Sequence, residues 1–92
     1  MANKSSSIVE LPNSDPFRVW LKGQTSFSGR SINDVVSRAK RAWSMVNLLV
    51  PKNESELVYL MEEKPAFQKC SPFVRSQLKR SARLYRQFAE RG

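Results

Sequence analysis

Residues 31–51 read SINDVVSRAKRAWSMVNLLVP. Ile32, Val35, Val36, Ala39, Trp43, Val46 and Val50 recur at three- and four-residue intervals, the period of one helical face. Ser31, with Asp34 three residues on, forms a variant of the capping box, so a helix is expected to start there. Pro51 closes it, because the residue before a proline avoids the helical region. A helix this long and one-sided must bury its apolar stripe against other elements.

Partners stand on both sides. Upstream, Ser14-Asp15-Pro16 offers a capping carboxylate and a proline suited to a first helical turn. Phe17, Trp20 and Leu21 follow at i, i+3 and i+4, and Gly23 is a natural stop. Downstream, Asn53 with Glu56 is a second capping signal, ahead of Leu57, Leu60 and Met61; Lys64-Pro65 ends that short segment. Ser71-Pro72 then opens a long helix, with Val74, Leu78, Ala82, Tyr85 and Ala89 on one face and Phe88 beside it. No alternating strand pattern competes. The expected fold is all-α: a compact four-helix domain of two long and two short helices over residues 14–92. Residues 1–13, polar and Ser-rich, are expected to be a flexible arm, with Ile8, Val9 and Leu11 able to rest on the body. Trp20, Trp43, Phe67 and Phe73 are expected in the core.

The composition excludes much chemistry. The 92 residues allow one domain at most. There is no histidine, hence no Ser-His-Asp or Cys-His nucleophile and no imidazole zinc site. Cys70, the single cysteine, cannot pair within the chain, which suits a reducing compartment. Lys69 beside it favours a thiolate, but no base is available to support catalysis. Tyr59 and Tyr85 lack the same help, and adjacent Glu62 and Glu63 point about 100° apart on a helix rather than forming an acid/base pair. Neither phosphate-binding glycine loop is present. No apolar run approaches a membrane span, and no secretory signal is expected at the start. The expected protein is not an enzyme and needs no cofactor or metal.

Charge is the informative feature. Sixteen Lys and Arg face eight Asp and Glu, for a formal charge of +8. The excess is concentrated at the end: residues 64–92 hold Lys64, Lys69, Arg75, Lys79, Arg80, Arg83, Arg86 and Arg91 against Glu90 alone. With Arg75 set at zero on a helix turning roughly 100° per residue, Arg86 falls near ~20°, Lys79 near ~40° and Arg83 near ~80°. Like charges in one stripe repel and give nothing to the fold, so an external polyanion is expected to reward them. Arginine suits phosphate oxygens and guanine edges. A second, smaller group lies on the middle helix: Arg38 and Arg41 share a surface, and Arg30 stands beside the Ser31 cap, where free amides favour phosphate.

Phe17-x-x-Trp20-Leu21, then Arg30-Ser31-Ile32-Asn33-Asp34-Val35-Val36-Ser37-Arg38, then Arg75-Ser76-x-Leu78-Lys79 and Leu84-Tyr85-Arg86-x-Phe88 resemble the N-terminal core-binding, SAM-like domain of phage integrases and other tyrosine recombinases. The likeness covers about residues 15–91. It implies an all-α DNA-clamping module whose long helices face the groove, with Arg30, Ser31, Arg38, Arg41, Arg75, Lys79, Arg83 and Arg86 as contacts. Two features depart from that family: the catalytic domain has no counterpart here, and the third segment is acidic. The resemblance therefore implies binding without cutting or joining, in a stand-alone relative, an accessory factor or a fragment.

The function expected from all this is non-enzymatic binding of duplex DNA, by a cytoplasmic, nucleoid-associated protein of a bacterium, phage or mobile element. About six neutralised phosphates would give a salt slope near −5. The alternative is a protein-interaction module that docks on an acidic or nucleic-acid-bound partner through Met45 and Leu48, which lie off the main stripe. The DNA-binding reading hangs on the basic row of the last helix, and finding that row tied internally to the carboxylates of Glu54–Glu63 would overturn it.

Overall fold

The caps decide where each helix starts. The computed structural model describes residues 11–24 and 27–91, which form five helices and no strand. The all-α architecture is as expected. Helix α1 spans Ser14–Lys22. Its cap is Asn13 rather than Asp15: Asn13 sits in the left-handed region at φ 58°, and its carbonyl accepts the Phe17 amide at 2.9 Å. Asparagine tolerates that conformation better than most side chains. Asp15 lies in the first turn, where its charge suits the positive helix end. Gly23 closes the helix as expected.

Helix α2 spans Gly29–Met45, shifted from the expected range at both ends. Ser28, not Ser31, is the cap, and its Oγ accepts the Ser31 amide at 3.2 Å. Both serines have a suitable cap environment, and the upstream one adds a further turn. At the other end the helix stops five residues short of Val50. Val46 is extended, and Asn47 Oδ1 accepts the Leu49 amide at 2.9 Å, a local turn that competes with helix. This turn brings Leu48 into the core at 0% exposure and leaves Val50 exposed.

Helix α3 spans Glu54–Glu62 behind the expected Asn53 cap, which accepts the Glu56 amide at 2.8 Å. Glu56 reaches back to the Lys52 amide at 2.6 Å. A four-residue helix α4, Pro65–Gln68, was not expected; proline opens it and it seats Phe67 in the core. Helix α5 spans Pro72–Glu90, with Ser71 accepting the Val74 amide at 3.2 Å.

The widest helix contact is α2 on α5, and α1 packs mainly on α2. The buried faces at that contact carry small residues, Ala39 and Ala42 on α2 and Ser81 and Ala82 on α5, so the two backbones can approach closely. One side of the core is aromatic. The Phe17 ring lies 5.2 Å from Tyr85, edge on, and 5.3 Å from Phe88. Trp20 reaches Phe88 at 6.0 Å and Trp43 reaches Tyr85 at 5.9 Å, so both indoles pack against the core as expected. The Tyr85 hydroxyl donates to the Pro12 carbonyl at 2.6 Å, and burial raises its pKa above the usual 10.0. Leu11 is buried as well, so residues 11–13 belong to the body; the rest of the expected arm lies outside the described residues. Phe73 departs from expectation and is 67% exposed.

Candidate nucleic-acid interface

The basic row of α5 is mostly closed from within. Arg86 is 5% exposed, and its Nη1 donates to the Leu48 and Pro51 carbonyls at 2.9 and 2.8 Å. Its Nη2 meets Glu90 at 3.1 Å, and its Nε is buried without a partner. Arg86 thus holds the turn after α2. Lys79 pairs with Glu62 at 2.9 Å and Arg83 with Glu54 at 3.6 Å. The acidic helix α3 lies along the flank of α5 where these cations emerge. Within the expected set on α5, Arg75 has no carboxylate partner among the described residues; it is half-buried beside Glu62 and Lys79. Of the four cations expected as contacts on α5, Arg86 is thus buried on backbone carbonyls, Lys79 and Arg83 are tied to carboxylates of α3, and Arg75 is unpaired among the described residues. The buried arc of α5 extends beyond its apolar stripe to include Arg86.

Both ion pairs are solvent-exposed, and such pairs contribute little. Lys79→Ala and Arg83→Ala are each expected to change stability by less than about 1 kcal/mol in urea unfolding. A loss above about 2 kcal/mol for either would show that α3 is held by charge rather than by buried Leu57 and Met61.

The outward face of α2 is different. With Arg30 at zero, Arg41 falls near ~20°, Arg38 near ~80° and Lys40 near ~280°, around a buried arc of about 120–240°. Arg30, Lys40 and Arg41 are exposed and Arg38 is half-buried. Asp34 is the sole acid on that face. Among the described residues none of the four cations has a carboxylate within 4.0 Å. Arg41 donates to Cys70 Sγ at 3.4 Å, a weak bond that brings the start of α5 beside this face. Ser37 stands exposed among the cations, the Ser44 hydroxyl donates to the Arg41 carbonyl, and Asn33 Oδ1 accepts from Arg18. Ser31 is not free in the same way: its amide is taken by Ser28, and its hydroxyl lies 3.2 Å from the Ser28 hydroxyl. The amides of Gly29 and Arg30 remain at the helix start.

Sequence reasoning missed Lys40 and Arg80. Unrolling α2 from its true start finds the first. The second is exposed on α5, with its guanidinium 5.3 Å from the Phe27 ring centroid, a contact between distant segments that no local pattern announces. A cleft of about 490 Å³ between α1 and α2 adds Arg18 and Lys22 near Gly29.

The apolar surface also differs from expectation. Leu48 is buried and Met45 packs against the core, so the patch foreseen for a protein partner does not form; Leu49 and Val50 are exposed instead. Tyr59 is held above its usual pKa of 10.0 by hydrogen bonding to Glu63 and by that carboxylate's charge, so the phenol stays protonated. Among the described residues no group of three or more His, Cys, Asp or Glu side chains is placed to hold a metal ion. No helix among them is long and apolar enough to cross a membrane. Comparison with protein families, with curated proteins and with solved structures finds no match for this chain.

Proposed function

We propose that the chain is a non-enzymatic DNA-binding domain that meets phosphates with the outward face of α2. The observation that carries this reading is the contrast between the two long helices. On α5, Lys79, Arg83 and Arg86 have internal carboxylate or carbonyl partners, whereas none of Arg30, Arg38, Lys40 and Arg41 on α2 is paired to a carboxylate among the described residues, and Asp34 is the one acid on their face. Four such charges raise the local potential and cost the fold repulsion that a polyanion relieves. Arginine forks grip phosphate oxygens, and neighbouring hydroxyl and amide side chains add positioning bonds. The resemblance to recombinase core-binding domains supports the same reading through Arg30, Arg38 and Arg41. Lys79, Arg83 and Arg86 drop out of the contact set.

The test is a titration of a labelled duplex of about 20 bp between about 50 and 200 mM salt. Four phosphate contacts give a log–log slope of about −3.5, shallower than the −5 that six contacts would give. The triple variant Arg30→Ala, Arg38→Ala, Arg41→Ala is expected to bind roughly 10- to 100-fold more weakly, with the slope reduced to about −1. The double variant Lys79→Ala, Arg83→Ala should stay within about twofold of the parent. A parent slope near zero ends the proposal, and a double variant as weak as the triple returns the site to α5.

A further inference from the structure

The exposed face of α5 carries a feature that phosphate binding does not use. Phe73 stands on the first turn at 67% exposure. Arg80 lies seven residues on, within about 20° of the same line and about 10 Å along the axis. Its guanidinium is spread over the Phe27 ring at 5.3 Å, and it has no carboxylate within 4.0 Å among the described residues. An arginine seated on an aromatic ring keeps its fork in a fixed orientation. One aromatic, Phe73, and one cation, Arg80, thus share a line on the exposed side of α5.

This line joins the basic face of α2 at both ends. Phe27 directly precedes Ser28, the cap of α2, so Arg80 stands by the helix start that bears Arg30. Arg41, near the other end of α2, touches Cys70, three residues before Phe73. These two contacts tie this side of α5 to α2 near each end of α2.

We infer that the nucleic acid bound here has unpaired bases, and that Phe73 stacks on one of them while Arg80 holds an adjoining phosphate. This rests on the reading of α2 as the phosphate face. A duplex keeps its base faces buried in its own stack, whereas a single strand presents them to any exposed ring.

The experiment compares an oligo-dT strand of about 20 nucleotides with a random duplex of the same length, at one salt concentration. The parent is expected to bind the single strand at least about fivefold more tightly. Phe73→Ala is expected to lower single-strand affinity about tenfold and to leave duplex affinity within about twofold. Because the ring is exposed, the variant should melt as the parent does, and circular dichroism checks this. Unchanged single-strand affinity in Phe73→Ala overturns the inference, as does an equal loss on both nucleic acids. If the α2 triple variant still loses both ligands, the phosphate reading stands without the stacking. If the parent binds neither nucleic acid, both readings fall.

Discussion

Arg86→Met is expected to lower the unfolding free energy by about 3 kcal/mol. The methionine fills much of the same space, so packing is not the main loss. The loss comes from the Leu48 and Pro51 carbonyls, which the guanidinium joins at 2.9 and 2.8 Å and which no thioether can satisfy. Hydrogen bonds to a charged donor are worth roughly twice a neutral one. In a chain of this size the melting temperature should fall by about 12–24 °C. Glu90→Ala serves as the control: that carboxylate is 65% exposed, so its contribution is small and screened by salt. The Arg86→Met loss should persist at high salt, because its partners are backbone dipoles in a buried site. Urea unfolding at two salt concentrations measures both. A cost below about 1 kcal/mol would mean that the turn over residues 46–51 holds itself.

Phe17→Ala is expected to remove the cooperative fold. Phe17 is 0% exposed and is the shared neighbour of Trp20, Tyr85 and Phe88. Truncating a buried phenylalanine costs about 3–5 kcal/mol, from lost transfer energy and from the cavity left behind. A domain of this length has total stability of the same order, about 5 kcal/mol. The expected product keeps helical far-ultraviolet dichroism, loses its near-ultraviolet signal and binds a hydrophobic dye. A sharp urea transition within about 1 kcal/mol of the parent would show that α1 is dispensable to the core.

The helices were legible because their signals are local. Asn53 with Glu56 and Ser71 with Pro72 are caps within one turn, and both appear as read. The apolar stripes of α2 and α5 are set by side chains three and four apart, which any register of the fold preserves. What was not legible was decided at a distance. The turn that follows the early stop of α2 is closed locally by Asn47 and held from a distance by Arg86, thirty-eight residues from the Leu48 carbonyl it joins. Without that partner the run through Val46 and Val50 reads as unbroken helix. The same bond explains the misread site: an arginine on the edge of an apolar stripe looks like a surface cation until a buried carbonyl claims it. Arg30, Arg38 and Arg41 were legible as outward cations because the opposite face of α2 is so plainly apolar, and Ser31 was misassigned because two serines compete to cap one helix.

The small residues where α2 and α5 meet have one more consequence. Ala39, Ala42, Ser81 and Ala82 allow a close approach and the Trp43 indole meets the Tyr85 ring across the two helices, so α2 and α5 act as a riveted pair of bars. Groups mounted on their outer sides keep a set distance and bearing. Under the proposed function such a pair would meet an extended ligand as a ruler rather than a hand, selecting by whether the ligand's own spacing agrees with the marks.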